Sequence, residues 1–474
     1  MNILGVWSIL LFSACSIPKV AMETESLKMP SDFSNAVQDT ASDGVLPWTS
    51  LFSDTILKGH IEKSLLHNPD MRSIMQRVEA AAVESVAQRN TIIPEVGATV
   101  GAGTVRFGDY TVDGVGNFDT NLSDNVDESR RIPNPVPDLL LGLNTSWEAG
   151  LWGKYKNRKR RAQEQLLATA EGRRWIQTML VAQVSKYYYD LVALDAEIRM
   201  IDRSVQLQES ALEVVKIQKE GGRVNELAVK QFESQLLDFK ALEKSKRLER
   251  VLLENEMNAL IGNFGGEVRR ADSLQWRDLP LMLRTGKPET LLKQRPDVKA
   301  AMHEREAALA NLRVAQAYFY PDLSFQGFFG VNSFRPDVLF TLPASMAFTA
   351  LGGLAAPIIN RNTIKRNHRV AIAEYNQSHF SYKKSLLLAF REVNDELQKI
   401  SYFETIAEYR NDQRKVMAEA ENVSAELFTT GYANYVELLM IRNSRLAAEI
   451  EYIEAVRDRI QATIGLYRAL GGGQ

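Results

Sequence analysis

Residues 64–97 read SLLHNPDMRSIMQRVEAAAVESVAQRNTIIPEVG, and residues 291–324 read LLKQRPDVKAAMHEREAALANLRVAQAYFYPDLS. A constant shift of 227 positions, without a gap, aligns the pairs Pro69 and Pro296, Asp70 and Asp297, Glu79 and Glu306, and Pro94 and Pro321. An internal repeat of this kind decides the architecture before any single residue is interpreted. Each half is expected to hold a helix, a strand pair and two further helices, which excludes one large globular core.

Composition and charge exclude some functions. With 474 residues the chain is long enough for two or three ordinary domains. Its net charge of −2 gives no electrostatic basis for binding nucleic acid, so no nucleic-acid partner is predicted. After residue 14 there is no uninterrupted apolar run of about 18 residues, so a transmembrane helix is not expected.

The one cysteine, Cys15, follows a short apolar segment (3–14) that ends in small residues. This arrangement looks like the cleavage site of a bacterial lipoprotein. Cleavage would remove 1–14 as a signal peptide and leave Cys15 acylated, with no free thiol in an oxidising compartment. Ser16, which follows the cysteine, favours sorting to the outer membrane. A plain secretory signal and a buried cysteine are the alternatives.

The rest of the chain divides by composition and by glycine and proline punctuation. The predicted sections are a lipid-anchored tether (15–47), a first repeat (48–265), an inter-repeat linker (266–287) and a second repeat (288–474). Within the repeats we predict strand pairs at about 94–152 and 321–358, and long helical hairpins at about 158–262 and 362–468.

Alternation of apolar and small or polar residues predicts the strands. It runs from Val96 to Ala102 and from Leu139 to Trp147, and residues 106–136 between them, rich in Gly, Asp and Asn, are predicted to be a long loop. In the second half the alternation covers 323–332 and 340–349. Strands of roughly ten residues are long enough to span a bilayer when tilted.

Basic residues follow each strand pair at once. They are Lys154, Lys156, Arg158, Lys159, Arg160 and Arg161 in the first half, and Arg361, Lys365, Arg366 and Arg369 in the second. We predict that these long side chains reach toward headgroups at a membrane surface. A nucleic-acid patch and a solvated helix start are the alternatives.

Apolar residues spaced three to four apart predict very long coiled-coil helices. In the first half the spacing runs from Ile176 to Val215, with Gln208 in its one gap. A long helix at 158–220 spans about 95 Å, close to the combined length of helices at 226–262 and 69–92. Two short helices stacked end to end are therefore expected to pair with one long helix in each half.

Four strands cannot close a barrel, and open sheet edges are not tolerated in lipid. Closure is therefore expected from other copies of the chain, and a homotrimer with twelve strands is the simplest solution. The predicted fold class is an α+β membrane protein with a tandem structural repeat. Each protomer would contribute four transmembrane β-strands and part of a matching ring of long α-helices.

Several motifs, in this order over nearly the whole chain after residue 45, carry a family resemblance. They are Trp48, Leu51-Phe52, Asp54 and Leu57, the Asn-Pro-Asp and Arg-Pro-Asp helix starts, the segment from Trp147 to Lys154, and TGYANYVELL at 430–439. The pattern resembles the TolC-like outer-membrane efflux proteins, in particular the lipoprotein branch that serves resistance-nodulation-division pumps.

The resemblance implies a homotrimeric tunnel, with a twelve-stranded barrel in the outer membrane and a long α-helical coiled-coil barrel across the periplasm. A mixed equatorial belt would be built partly from the short helices and the C-terminal tail. The inner end of the tunnel would close by an iris-like twist of the inner helices. The implied partners are a periplasmic adaptor protein, an inner-membrane resistance-nodulation-division pump and outer-membrane lipid. Small toxic compounds would pass through the tunnel without any chemistry.

The resemblance also places the constriction at two helix–helix turns, at 222–229 and 431–440. Glu437 matches the first of two pore-lining acids in the family pattern, whereas Met440 stands where the second is usual, so half of that acidic ring is absent. The gate candidates are Glu437, Glu226, Asn434, Asn225, Tyr435, Tyr432, Gly431 and Gly222. For the two acids, the alternative is a solvated residue near a helix start, favoured by the helix dipole.

Signals for catalysis are missing from the sequence. The histidines (His60, His67, His303, His368 and His379) are scattered and form no metal-ligand spacing with Cys, Asp or Glu. There is no phosphate-binding glycine loop and no nucleophile elbow. We therefore predict no enzyme, no catalytic residues, no metal site and no cofactor.

Three other functions remain open from the sequence. A protein-secretion duct of a type I exporter would have the same fold, although such ducts usually lack an acyl anchor. A structural coiled-coil lipoprotein of the envelope would have no barrel. A periplasmic adaptor would need only one helical hairpin, whereas this chain has two hairpins and two strand pairs.

Overall fold

A computed structural model describes most of the chain. The described residues are 21–23, 28–33, 47–272, 287–356 and 362–472. Cys15, the predicted signal peptide and most of the predicted tether and linker lie outside them.

Long helices make up most of the described chain, together with four strands. The helices are α1 (Trp48–Leu51), α2 (Thr55–His67), α3 (Pro69–Asn90), α4 (Val112–Leu122), α5 (Lys154–Glu220), α6 (Glu226–Leu260), α7 (Pro288–Gln294), α8 (Pro296–Ala317), α9 (Asn362–Thr430) and α10 (Tyr435–Ala469). The strands are β1 (Glu95–Val105), β2 (Val136–Glu148), β3 (Asp322–Ser333) and β4 (Met346–Ala355). Within the part of the chain that is described, no helix is both long and apolar enough to cross a membrane.

The tandem repeat predicted from the sequence is confirmed by the helix bounds. Helices α3 and α8 each contain 22 residues and begin at the aligned prolines, Pro69 and Pro296. Helices α6 and α10 each contain 35 residues, and the long helices α5 and α9 contain 67 and 69. Each repeat therefore has one long helix and two shorter ones in the same order.

Asn68 joins the end of α6 to the start of α3. Its side-chain carbonyl accepts hydrogen bonds from the backbone N–H groups of Asp70 (2.9 Å) and Met71 (3.1 Å), which have no partner within the helix. Its side-chain amide donates to the carbonyl of Leu260 at 3.1 Å. One side chain thus satisfies both helix ends, and the two short helices meet end to end as their lengths predict.

Arg295 makes the equivalent joint between α10 and α8, at the position that the repeat aligns with Asn68. Its guanidinium donates to the carbonyl of Ala469 at 2.7 Å and to the two carboxylate oxygens of Asp297 at 3.0 and 2.8 Å. Glu392 of α9 accepts a further hydrogen bond at 3.0 Å. Because the Arg295 side chain is only 2% exposed, its charge depends on these partners.

The chain folds as two compact units, and each contains segments of both repeats. One, the sheet unit, comprises Ala82–Gln165, Arg305–Gln377 and the described residues before Thr24. The other, the helical unit, comprises the described parts of Thr24–Ala81, Leu166–Glu304 and Ser378–Gln474. The largest hydrophobic core belongs to the helical unit and includes Trp48, Leu57, Tyr188, Ile464 and Tyr467.

The four strands form one antiparallel sheet in the order β1-β2-β3-β4, so the two repeats meet at the β2–β3 pair. Directly paired residues project from the same face of a sheet, so the register sorts all side chains into two faces. What we call the apolar face carries mostly aliphatic and aromatic residues: Val96, Ala98, Val100, Ala102, Leu139, Leu141, Leu143, Trp147, Leu323, Phe325, Phe329, Val331, Met346, Phe348, Ala350 and Leu354, together with Thr104, Pro137, Thr145, Ser333, Gly327 and Gly352.

The opposite side, called the polar face, carries most of the acidic, amide and hydroxyl groups of the sheet. It holds Glu95, Thr99, Asp138, Asn144, Ser146, Glu148, Asp322, Ser324, Gln326, Asn332 and Thr349, together with glycines, Val105, Val136, Leu140, Phe328, Ala347, Leu351 and Ala355. Several of these groups are paired across strands. Thr99 donates to the side chain of Asn144 at 2.9 Å, and the Asn332 amide donates to Asp138 at 2.6 Å.

Aromatic rings collect where the strands join the helices. Trp147 stacks on Phe325 with ring centroids 5.5 Å apart, and Trp152 stacks on Tyr320 at 4.8 Å. Both indole N–H groups donate to backbone carbonyls, at 2.9 and 2.7 Å. One end of the sheet therefore carries amphipathic rings whose polar edges are satisfied.

The segment between β1 and β2, predicted to be a long loop, contains the helix α4. Thr111 caps its start by accepting from the N–H of Gly114 at 3.1 Å. Asn121 near its end exchanges two hydrogen bonds with the backbone of Ile132, both at 2.8 Å. The glycine-rich composition hid this helix, whereas the three- and four-residue spacing of Val112, Val115, Phe118 and Leu122 would have indicated it.

The predicted start of the last strand, near Phe340, was wrong, since β4 begins at Met346. A turn precedes the strand: the N–H of Thr341 donates to Val338, and that of Ser345 donates to Thr341, both at 3.0 Å. Pro343 lies between them and has no N–H to offer a strand ladder. The alternating residues before Met346 therefore belong to a turn.

Lys154, predicted to reach toward headgroups, is instead buried at the base of the polar face. Its Nζ lies 2.7 Å from a Glu148 oxygen and 3.5 Å from an Asp322 oxygen, and the side chain is 7% exposed. It also lies 4.5 Å from the ring centroid of Tyr318. The prediction was wrong for this residue because two strand-end carboxylates converge beside it and hold its charge.

We predict that Arg295→Leu lowers the free energy of unfolding by about 3 kcal/mol or more, because it leaves two partly buried carboxylates without their cation. The midpoint of thermal unfolding, followed by circular dichroism, measures this. The matched control is Lys293→Leu, which removes an exposed ion pair with Glu289 and is expected to change the midpoint little. Equal midpoints for the two variants would contradict the role given to Arg295.

Candidate functional site at the two helical turns

Each long helix ends in the same type of turn. Gly222, with φ of +70°, and Gly431, with φ of +84°, follow the last helical residues. The next N–H reaches back five residues, from Arg223 to Gln218 and from Tyr432 to Leu427, at 2.9 Å in both cases. This is the glycine-dependent Schellman ending, and it satisfies carbonyls that the helix end leaves unpaired.

Asn225 and Asn434 begin the return helices as matched N-caps. The side-chain oxygen of Asn225 accepts from the N–H of Ala228 at 3.1 Å. That of Asn434 accepts from the N–H groups of Val436 (2.9 Å) and Glu437 (3.1 Å). Both asparagines therefore hold the backbone where the chain reverses direction.

The two candidate acids are held by local partners. Glu437 completes a capping box, since its Oε2 accepts from the backbone N–H of Asn434 at 3.3 Å. Glu226 forms an ion pair with Lys219 of α5, and the hydrogen bond from this lysine lowers the pKa of its carboxyl. Each carboxylate thus stabilises its own turn while remaining accessible to solvent.

The turns of the two repeats come together over one small hydrophobic cluster in the helical unit. Its buried members are Leu212, Val215, Ala228, Val229, Phe232, Leu236, Leu438 and Leu439. Tyr435 packs at its margin, whereas Tyr432 is exposed. The side-chain amides of Gln235 and Asn443 exchange hydrogen bonds at 2.6 and 2.8 Å, which joins α6 to α10 directly. The structure therefore brings all eight gate candidates to one end of the two hairpins.

Sequence reasoning missed an ion cluster close to this site. Glu421 of α9 accepts a hydrogen bond from Arg445 and lies 3.5 Å from Arg442, both on α10. Burial lowers the pKa of Arg442. Gln208 is fully buried and donates to the carbonyl of Phe232 at 3.2 Å. In the sequence, the charges of Glu421, Arg442 and Arg445 are typical of a solvated helix face and do not indicate a buried cluster. The polar residue Gln208 within the apolar spacing was the available signal of a buried polar site.

Metal ligation has no support at the turns or elsewhere among the described residues. No group of three or more His, Cys, Asp or Glu side chains there could hold a metal ion. The arrangement at the turns instead combines capped helix ends, an apolar cluster and exposed acids.

The family description "Outer membrane efflux protein" matches residues 60–263 and 288–472, most of the chain. The chain belongs to this family. This efflux protein is therefore a transport channel component of the bacterial outer membrane, and the resemblance found in the sequence is confirmed.

Named relatives match over nearly their full lengths. The efflux protein is 26% identical to the pyoverdine export outer membrane protein OpmQ of Pseudomonas aeruginosa, covering 100% of this chain and 97% of that one. It is 25% identical to the cation efflux system protein CusC of Escherichia coli, covering 90% and 88%. It is 22% identical to SilC of Salmonella typhimurium, described as a probable outer membrane lipoprotein, covering 100% and 99%.

Solved structures share the fold. A membrane protein from Pseudomonas aeruginosa superposes with a TM-score of 0.84 at 23% identity, covering 95% of this chain and 99% of that one. The open state of the MtrE outer membrane channel of Neisseria gonorrhoeae superposes with a TM-score of 0.83 at 22% identity, covering 97% and 98%. The predicted α+β fold, a tandem repeat of long helices with a strand pair in each half, is thus confirmed.

We predict that Gly222→Ala destabilises the first turn by about 1 kcal/mol, because the alanine must adopt a left-handed conformation. Gly221→Ala is the matched control, since Gly221 itself is not in the left-handed region and its added carbon would come no closer than 3.6 Å to another atom. Hydrogen exchange of the peptide spanning the turn measures local opening. Faster exchange is expected for the first variant only, and the same exchange rate in both would contradict the role of Gly222.

Proposed function

We propose that this efflux protein is a homotrimeric duct in a tripartite efflux system, in which the apolar face of the sheet meets lipid and the polar face lines the lumen. The observation that carries the proposal is the register, which places apolar side chains of all four strands on one side. The stacked pairs Trp147–Phe325 and Trp152–Tyr320 fit the aromatic girdle of a membrane interface. In this arrangement the duct carries compounds without reacting with them.

The sheet edges support assembly with further copies. In the described sheet, β1 and β4 each pair on one side only, so both edges present unpaired backbone groups. Lipid cannot satisfy such groups, and closure onto other copies removes them. Three protomers with four strands each give a twelve-stranded barrel wide enough for a channel.

The two helical turns form the periplasmic gate of this duct. The residues assigned to it are Glu437, Glu226, Asn434, Asn225, Tyr435, Tyr432, Gly431 and Gly222. Their capped ends and shared apolar cluster give a tip that can be held closed by packing between hairpins. A periplasmic adaptor and an inner-membrane resistance-nodulation-division pump would open it by offering alternative contacts.

Small toxic compounds are the proposed cargo. OpmQ is named for pyoverdine export and CusC for cation efflux, so relatives of one fold differ in what they export. The name of SilC supports acylation of Cys15 and anchoring in outer-membrane lipid. An acyl anchor also favours this function over a protein-secretion duct.

Complementation of a deletion strain tests the duct. We predict that the wild-type chain restores growth on a panel of toxic compounds, whereas Leu143→Arg on the apolar face does not, because a cation inside the bilayer costs about 2–4 kcal/mol. The matched control, Asn144→Arg, changes the next residue on the polar face and is expected to complement. Trimer yield from outer membranes, read on native gels, is expected to fall only for Leu143→Arg.

Two results would contradict the proposal. Unchanged sensitivity of the deletion strain to every compound would remove the export function. Full complementation and normal trimer yield with Leu143→Arg would show that the apolar face does not meet lipid.

The gate has its own test. Asn434→Ala removes the N-cap of α10 and is expected to loosen the second turn by about 1 kcal/mol. We predict a higher single-channel conductance in planar bilayers than for the wild type. The matched control, Thr111→Ala, removes the N-cap of α4 and should leave conductance unchanged; equal conductance in all three proteins would argue against a gate at the turns.

A further inference from the structure

A cavity of about 440 Å³ lies within the sheet unit, among the ends of four helices near the base of the sheet. Its lining includes Gln88 of α3, Arg158 and Arg161 of α5, Val314 of α8, Tyr318 just after α8, and Glu374 of α9. This volume falls in the range of pockets that hold small organic molecules. The chemistry of the lining therefore bears on what the duct handles.

The two arginines that line the cavity have neutral partners. Arg158 donates to the hydroxyl of Tyr318 at 2.6 Å, and Arg161 donates to the side-chain oxygen of Asn311 at 3.0 Å. Nowhere in the described chain does a carboxylate oxygen come within 4.0 Å of either guanidinium. The Nε of Arg161 is buried and has no hydrogen-bond partner. Two positive charges thus have no carboxylate partner among the described residues and can attract an anionic ligand.

Arg160, between these two arginines in sequence, shows the contrast. Its guanidinium lies 3.1 Å from Glu306 and 3.8 Å from Glu164, so its charge is neutralised within the protein. The one acid that lines the described cavity is Glu374, and it accepts a hydrogen bond from the Asn311 amide at 3.2 Å. The cavity therefore keeps a net positive charge.

Apolar side chains lie beside the two charges. Val314, Ala315, Val370 and Ala371 line the same cavity. A ligand that fits both kinds of wall has an anionic group, such as a carboxylate, sulfonate or phosphate, attached to an apolar body. The lining thus favours an amphiphilic organic anion over a cation or a neutral compound.

The contacts of α9 with the N-terminal segment indicate on which side of the proposed duct wall the cavity lies. The backbone N–H of Glu23 donates to the side chain of Asn376 at 3.1 Å, and the Tyr375 hydroxyl donates to the Glu23 carbonyl at 3.5 Å, so the N-terminal segment lies on that face. Glu374 is about 100° from Tyr375 and about 200° from Asn376 around the helix. The proposed lipid anchor at Cys15 would keep the N-terminal segment outside the duct, so we infer that the cavity, on the other side of α9, opens inward.

The polar face of the sheet leads to the same side. Glu148, on that face, holds Lys154 at 2.7 Å, and Lys154 lies 4.5 Å from the centroid of the Tyr318 ring. The hydroxyl of that ring is the partner of Arg158. A continuous series of contacts therefore joins the lumen-facing side of the strands to the cavity.

We propose that Arg158 and Arg161 form a binding step for amphiphilic organic anions on the inner wall of the duct, directly below the strands. This proposal rests on the proposed duct function. A cargo molecule that leaves the helical part of the duct would place its anionic group on the two guanidiniums and its apolar body against Val314 and Val370. With this binding site, the outer-membrane component itself would prefer amphiphilic organic anions among its cargo.

The test uses the purified full-length trimer in nanodiscs of zwitterionic lipid. The probes are anilinonaphthalene sulfonate and phenylnaphthylamine, which share an aromatic body and differ in the sulfonate. We expect the double variant Arg158→Gln/Arg161→Gln to bind the anionic probe about tenfold more weakly, since it loses two charge-assisted hydrogen bonds. Binding of the neutral probe is expected to stay within about twofold, and added salt should weaken only the wild-type affinity for the anion.

Arg160→Gln is the matched control, because it removes a neighbouring arginine whose charge is already neutralised; it should keep the wild-type affinity. Equal affinity of the double variant and the wild type for the anionic probe would overturn the proposal, as would equal loss for both probes. Anionic phosphatidylglycerol in the nanodisc is expected to have no effect. If it displaced the probe from the wild type only, the cavity would face lipid and the inward assignment would be wrong.

Complementation by the double variant separates the two proposals. A strain that regains resistance to neutral and cationic compounds but stays sensitive to anionic amphiphiles supports both the duct and the binding step. Restored resistance to every class, together with unchanged probe binding, would overturn the binding step and leave the duct in place. Failure of the wild-type chain itself to complement would instead count against the duct.

Discussion

The proposed function depends on the register of the four-stranded sheet. Side chains alternate along each strand, so a slip of one residue at any pair would turn that strand over. The pairing of Leu141 with Val331 and of Leu143 with Phe329 fixes the first repeat against the second. Because this register holds across all three pairs, one face is apolar and the other polar, and a wall between lipid and water becomes possible.

At one pair of aligned positions, the two repeats make the same joint between helices with different chemistry. Asn68 and Arg295 both join a returning helix to the helix that enters the sheet, one with an amide and the other with a buried guanidinium. A guanidinium reaches more partners, so the second joint also holds Glu392 of the long helix. The repeats thus keep the same geometry while their stability rests on different interactions.

The helical turns show where similarity between the repeats ends. Asn225 and Asn434 cap their helices alike, but Glu437 closes a capping box whereas Glu226 pairs with Lys219. The sequence makes both acids gate candidates, and only Glu437 matches a pore-lining acid of the family pattern. The structure gives each a local structural task as well, so removing either one would change the turn together with the charge at the proposed gate.

The sequence by itself determined the repeat, the strands and the helix lengths, because these follow from periodicity and from local signals such as Pro69 and Asn434. It failed where local composition misled, as in the glycine-rich segment that contains α4, and before β4, where a turn carries strand-like alternation. Only the tertiary structure decided which basic residues after the first strand pair are neutralised. Lys154 and Arg160 lie beside carboxylates, whereas Arg158 and Arg161 do not. The partner of Arg160 is Glu306, which belongs to the other repeat. Spacing along the chain therefore could not reveal this difference.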